Sequence, residues 1–264
     1  MGALLFANSL RDFPHLEGRE VIVRKYVGTN NRTLNFEQHW TMGYAVGFDS
    51  LLDFITDSSS REHIEVRRQM LPEYPKVAIR EFLANACGHQ DFFITGLSIT
   101  VEIFSNRLVI TNPGASLNDV KRLIDLPPHS RNEKLAQAMF LLNLCEKRGS
   151  GYDRAVEAIE AMRLPAYHTE SGKDFTRVTL FPKKAVVEMT RDERVEACYQ
   201  HACLLYEDRC TLSNQSVRER FGLDKNKSAM ASHIIADTIE AGLIKLKNPE
   251  EASRKFAQYI PFYG

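Results

Sequence analysis

The chain has 264 residues, which is enough for one large domain or two modest domains with buried cores. Its 34 Lys and Arg residues balance its 34 Asp and Glu residues, so total charge gives no reason to expect a nucleic-acid or anionic membrane partner. No apolar run approaches the roughly 20 residues of a membrane span, and no secretory signal is visible. The five cysteines are odd in number and form no CxxC pair, which predicts reduced thiols in a cytoplasmic protein rather than disulfides or a zinc site.

The N-terminal part of the chain predicts a strand, a turn and a helix. Residues 20–26 alternate in a strand pattern, and Asn30 with Asn31 marks a turn. Residues 47–56 place apolar side chains at helical spacing, and residues 64–68 indicate an extended stretch.

A helix is predicted to begin after Pro75, and it carries a polar row. Glu81, Asn85 and His89 are four residues apart, so a helix places them on one face. A carboxylate one turn before an amide suits a nucleotide site, because the carboxylate can orient water and the amide oxygen can bind Mg²⁺. A solvated helix face explains the row equally well when the row is taken alone. The predicted buried face consists of Val77, Ala78, Phe82, Leu83 and Ala86.

The next segment predicts a β-hairpin over residues 97–111, because β-branched and apolar residues recur there at strand spacing. Asn112, Pro113 and Gly114 end it. Gly114 can take positive φ, so the backbone could pass close to a ligand there. An ordinary strand-ending turn is the commoner explanation of this tripeptide.

Residues 126–132 form an irregular loop after a short helix predicted near residues 117–124. Arg131 could contact phosphate through its planar guanidinium. Alternatively the loop is a capping segment, in which Ser130 or Asn132 starts the helix predicted over residues 133–145.

Gly149, Ser150 and Gly151 precede a helix predicted over residues 152–162. Exposed amides at a helix N-terminus favour an anion, which makes this the second candidate binding element. A flexible turn with an ordinary cap is the alternative. A strand over residues 175–181 closes this part of the chain.

Residues 190–264 predict three helices followed by two strands that pair as a wing, a pattern that resembles a winged helix. This part holds 11 Lys and Arg residues and 11 Asp and Glu residues, so any DNA affinity would depend on local basic clusters. A dimerisation or partner-docking winged helix is the alternative. The candidate DNA-binding residues are Lys225, Lys227 and Ser228 at the start of the third helix, and Lys245 and Lys247 in the wing.

Four segments in a fixed order carry a family resemblance, namely residues 81–91, 96–114, 130–132 and 148–154. Their order resembles the ATP-binding domain at the C-terminal end of Schlafen-like (AlbA-type) transcriptional regulators, a family often labelled RecG-like helicase. That domain is similar to the GHKL nucleotide-binding fold of DNA gyrase and histidine kinases. The resemblance implies an α+β protein with a GHKL-like α/β sandwich at residues 1–185 and a winged-helix domain at residues 186–264. It also implies an AlbA-type domain upstream, absent from this chain.

The resemblance further implies roles for residues at matched positions. Glu81 would polarise water, Asn85 would hold Mg²⁺, and Asn112 with Gly114 would line the pocket for the adenosine of ATP. The positions matched to phosphate binding, or to the end of the central helix, are Arg131, Gly149, Ser150, Gly151, His89 and Asp91.

Two departures bear on these roles. The central helix ends in His-Gln-Asp-Phe where the family has His-Arg-Asp-Tyr, so one basic residue is absent. The turn at 112–114 is Asn-Pro-Gly, whereas GHKL ATPases carry an Asp-x-Gly-x-Gly element for the adenine amino group.

The resemblance therefore predicts an ATP-responsive, DNA-binding transcriptional regulator that forms a homo-oligomer and needs no membrane. A weak Mg²⁺-dependent ATPase activity is compatible with the same residues. Two alternatives stay open: an ATPase subunit of a nucleic-acid defence or repair system, and an oligomerisation scaffold with a degenerate nucleotide site.

Overall fold

A computed structural model describes residues 1–64, 68–127, 129–145, 151–248, 250 and 257–264. The chain divides into two compact units. Unit 1 comprises residues 1–155 and 167–182, and unit 2 comprises residues 156–166 and 183–264. In the described part of the chain, no helix is both long and apolar enough to cross a bilayer.

Unit 1 is built on a mixed six-stranded sheet in the order β2-β1-β5-β6-β8-β7. The pair β1–β5 is parallel, and the other neighbours are antiparallel. A separate antiparallel pair, β3–β4, lies outside this sheet. The strands are β1 Val21–Tyr26, β2 Leu34–Trp40, β3 Arg61–Ile64, β4 Arg68–Leu71, β5 Ile99–Phe104, β6 Arg107–Pro113, β7 His168–Ser171 and β8 Phe175–Leu180.

Helices contact the sheet through α2 on β5 and α3 on β6. Val101 and Leu108 of the sheet and Phe82 and Leu83 of α3 are at most 1% exposed, so the core lies between these layers. Burying such side chains stabilises the fold by about 1.5–3 kcal/mol each. The mixed α+β prediction is confirmed. The helices are α1 Gly2–Phe6, α2 Tyr44–Ser59, α3 Lys76–His89, α4 Glu133–Leu141 and α5 Gly151–Ala161. Only residues 151–155 of α5 belong to unit 1.

Some predicted details differ from the structure. Val77 was assigned to the buried face of α3 but is 40% exposed. The helix at residues 133–145 ends at Leu141, and Asn143 has φ 56°. The short helix near residues 117–124 is a single 3₁₀ turn, Val120–Arg122. The edge strand β2 was not predicted, because four of its seven residues are exposed and no apolar alternation marks it.

Unit 2 contains three helices and a short antiparallel strand pair, together with residues 156–161 of α5. Two of its helices begin with reciprocal capping boxes, at Thr190 with Glu193 and at Ser213 with Ser216. Gly222 ends the second helix in the left-handed conformation. The winged-helix assignment stays a prediction, and Phe256 of the predicted wing lies outside the described residues. The elements are α6 Arg191–Glu207, α7 Asn214–Phe221, α8 Ser228–Glu240, β9 Ile244–Leu246 and β10 Tyr259–Pro261.

A buried charged cluster holds the second half of α5 within unit 2. Glu160 Oε1 lies 3.0 Å from Arg220 Nε as an ion pair, and Glu160 Oε2 lies 2.9 Å from His201 Nδ1. Arg220 also donates to the Leu164 carbonyl at 2.8 Å, and burial lowers the pKa of its guanidinium. Losing the Glu160 carboxylate would leave a buried cation unpaired, which typically costs about 3–5 kcal/mol.

Candidate functional site

Unit 1 contains a cavity of about 460 Å³, within the range of small-molecule sites. Its floor is the β6–β8 pair. Ile110 is in register with Val178, and Asn112 is in register with Thr176, so all four side chains share one face of the sheet. The floor is therefore apolar at Ile110 and Val178 and polar at Asn112 and Thr176.

Helix α3 forms one wall, through the predicted row Glu81, Asn85 and His89, which all line the cavity. Glu81 is 4% exposed, so this is not a solvated helix face. Its carboxylate lies against the first residue of α5, because a Cβ at Gly151 would be 2.6 Å from Glu81 Oε2. A side chain at position 151 would therefore require the Glu81 carboxylate to move.

Asn85 and His89 keep their polar atoms available. Among the described residues, neither side chain has a hydrogen-bond partner. Burial is the largest cause that lowers the pKa of His89, and the charges of Arg131 and His129 lower it further. His89 is therefore a neutral imidazole at pH 7.

The remaining wall comes from α4, from the loop before it and from the start of α5. Glu133 and Gln137 of α4 face the cavity, as do His129 and Ser130 of the loop. Tyr152 lines it from α5 and packs against Phe82 and Tyr167 with tilted rings, and burial raises the pKa of its phenol to about 12.

The described residues that line the cavity are acidic in balance. These residues include the carboxylates Glu81 and Glu133, the imidazoles His89 and His129, and no Lys or Arg. An anionic ligand in such a site needs a cation with it. Carboxylate and amide oxygens are the ligands that Mg²⁺ prefers.

The structure brings some predicted residues into this cavity and leaves others outside it. Asp91, Gly114 and Arg131 do not line it; they contact one another at its rim. Gly149 and Ser150 lie outside the described residues. The predicted residues that line the cavity are Glu81, Asn85, His89, Asn112 and Gly151.

Sequence reasoning did not select Thr176, Tyr152, Gln137 or Glu133. Thr176 could have been found by pairing the predicted strand at 175–181 with the hairpin, because it then falls opposite Asn112. The others lie on helices whose facing depends on tertiary packing, which no periodicity in the sequence specifies.

The candidate DNA-binding residues are on the surface of unit 2. Lys225 and Lys227 occupy a 3₁₀ turn, Ser228 begins α8, and all three are exposed. Lys245 and Lys247 are also exposed, in β9 and just after it.

Comparisons with known proteins found a match to an ATPase-like family over part of the chain and a similar solved structure. Residues 96–180 match the family described as "Putative ATP-dependent DNA helicase recG C-terminal". The DIP2311 protein from Corynebacterium diphtheriae has a similar solved structure, with a TM-score of 0.60 and 17% sequence identity. The similarity covers 98% of this chain and 45% of that chain, so this chain spans less than half of that protein. No curated protein matches the chain.

We predict that His89 makes the protein less stable in acid. Because its folded-state pKa is lowered, the unfolded chain binds the proton more readily, so stability falls as pH drops below about 6.5 toward the folded pKa. Thermal unfolding between pH 7.5 and 5.5 should show a smaller loss of Tm in His89→Gln than in the wild type. His168→Gln, at an exposed position of β7, is the control. Equal pH slopes in the wild type and His89→Gln would contradict the prediction.

Proposed function

We propose that unit 1 binds ATP with Mg²⁺ and that unit 2 binds DNA, so that the chain acts as a nucleotide-responsive transcriptional regulator. One observation supports nucleotide binding by unit 1: a single cavity is lined by Glu81, Asn85, His89, Asn112 and Gly151. The sequence separates these residues by up to 70 positions, yet they surround one space.

The two ends of the cavity support different parts of the nucleotide. Ile110 and Val178 offer an apolar surface for a base, beside the polar groups of Asn112 and Thr176. Asn85 offers an amide oxygen for Mg²⁺, which would supply the positive charge that the described lining residues lack. The backbone at the start of α5, at Gly151, would contact phosphate, because the amides at a helix N-terminus favour an anion.

Glu81 supports a second step, in which the bound nucleotide is hydrolysed. A buried carboxylate beside a phosphate site can orient a water molecule or accept its proton. The proposed activity is a weak Mg²⁺-dependent ATPase, and the alternative of an ATPase subunit in a defence or repair system rests on the same residue.

The DNA part rests on the exposed surface at the start of α8. Lys225 and Lys227 stand beside small exposed residues, which allow close approach to a phosphate backbone. The acidic residues near the end of the same helix are paired, because Arg191 bridges Asp237 at 3.0 Å and Glu240 at 2.6 Å. At the N-terminal end of α8, Lys225 and Lys227 outnumber the exposed Asp224, so the local charge is basic although residues 190–264 are neutral in total.

We predict that MgATP binds with micromolar affinity and that Asn85→Ala weakens it at least tenfold. The reason is the loss of the amide oxygen that would hold Mg²⁺ against the phosphates. Calorimetric titration with and without EDTA measures this, and Asn35→Ala on the exposed face of β2 is the matched control. The absence of binding by the wild type would contradict the proposal and favour a scaffold with a degenerate site.

We predict that Lys225→Ala combined with Lys227→Ala lowers DNA affinity and reduces the dependence of log Kd on log[salt] by about 1.8 for double-stranded DNA. Fluorescence anisotropy at several salt concentrations measures both quantities. Lys121→Ala in unit 1 is the control. An unchanged salt slope would contradict the DNA assignment and favour the partner-docking alternative.

A further inference from the structure

Three segments at the rim of the cavity are joined at one point by Arg131 and Asn132. The Asn132 side-chain amide donates to the Gly88 carbonyl at 3.0 Å and to the Gln90 carbonyl at 2.8 Å. It makes no capping bond to its own helix, although Asn132 precedes α4. Its amide instead closes the C-terminal end of α3, whose last carbonyls would otherwise lack donors.

Arg131 extends the same junction. Its guanidinium donates to Asp91 Oδ2 at 3.0 Å and to the Ala115 carbonyl at 2.9 Å. Asp91 in turn donates its backbone N–H to the Pro113 carbonyl at 2.8 Å, and its other carboxylate oxygen accepts from the Phe93 N–H at 2.9 Å. Both charges of the pair are three-quarters or more buried, at 25% and 20% exposure.

Gly114 makes this approach sterically feasible. Its φ is +107°, and a Cβ there would lie 2.9 Å from Asp91 Cβ and 3.1 Å from Asp91 N. A side chain at this position would push the turn after β6 away from the end of α3. The glycine predicted as a ligand contact therefore serves a backbone-to-backbone contact between two walls of the cavity.

The residues joined here are next to residues that line the cavity. His89 lies between the two carbonyls that Asn132 binds, Ala115 both lines the cavity and accepts from Arg131, and Ser130 and Glu133 flank the pair. The junction thus fixes the spacing between the α3 wall, the end of the sheet floor and the loop before α4.

We propose that Arg131 and Asn132 are positioning residues that hold these three walls at the spacing that a nucleotide requires, and that Arg131 is not a phosphate ligand. This inference rests on the proposed function of the cavity. It departs from the expectation that Arg131 binds phosphate, because the guanidinium already bonds Asp91 and a carbonyl and does not line the cavity. We call Arg131 and Asn132 the clamp. Because the clamp would act through the spacing of the walls and not through contact with phosphate, its loss should weaken ATP, ADP and adenosine equally.

The first experiment compares ATP, ADP and adenosine as ligands of the wild type, Arg131→Ala and Asn132→Ala. We expect each variant to weaken all three ligands by the same factor, about tenfold, since the walls lose one hydrogen-bonded anchor. Arg131→Lys should give an intermediate loss, because lysine can keep the ion pair with Asp91 but not both bonds. Asn30→Ala, which makes the same uncharged truncation in a distant exposed turn, should leave all three affinities unchanged. A loss that grows with the number of phosphates would overturn the proposal, since it would identify Arg131 as a phosphate ligand.

Affinities are measured well below each variant's Tm, so that a lower stability alone does not alter them. A lowered Tm with unchanged affinities in the folded protein would also overturn the proposal, because the pair would then be structural only.

A second experiment needs no nucleotide. Hydrogen exchange of the ligand-free protein should show faster exchange at the Asp91 and Gly114 amides in both variants, with exchange in β5 unchanged. Unchanged exchange at Asp91 and Gly114 would contradict the proposed positioning role of the clamp. If the wild type bound no nucleotide while exchange responded as expected, the proposed function would fail and the clamp would stand as a property of the fold.

Discussion

The packing of α3 on the sheet is the constraint on which the candidate site depends. Phe82 and Leu83 are buried against the strands, and the helical period then turns Glu81, Asn85 and His89 toward a cavity rather than toward solvent. Burying a carboxylate costs free energy unless its surroundings compensate. The helix that begins at Gly151 lies against Glu81, where the helix dipole favours negative charge. The site is thus held by the same contacts that form the core of unit 1.

Residues inside the cavity and the clamp residues at its rim would have different roles in ligand binding. Side chains inside the cavity are available to a ligand, since Asn85 and His89 have no partner among the described residues. Side chains at the rim are engaged with the protein, since Arg131 and Asn132 bond the ends of α3 and β6. This division agrees with the general pattern that ligand-contacting groups are held by residues whose own geometry is locked.

The sequence predicted the elements that have a local pattern of apolar residues. It did not predict which side chains meet when that depends on tertiary contacts. The period of α3 and the alternation of the β5–β6 hairpin were predicted, and so was the Glu81-Asn85-His89 row. The contacts of Arg131 could not be predicted, because its partners Asp91 and Ala115 are 40 and 16 residues away in the chain and the sequence does not show that they lie close in space. The edge strand β2 lacked apolar alternation for a similar reason: the edge of a sheet buries little. Gly114 was noted for its positive φ, but the contact that requires it was visible only in the fold.

A structure of the protein determined with Mg²⁺ and a non-hydrolysable ATP analogue would show whether the cavity of unit 1 binds nucleotide. We expect the base on the apolar floor at Ile110 and Val178, and we expect Asn85 to hold a Mg²⁺ ion beside the phosphates. Arg131 would keep its bonds to Asp91 and Ala115 in the complex. A nucleotide bound elsewhere on the chain, or a cavity that stays without ligand at saturating concentration, would contradict the account.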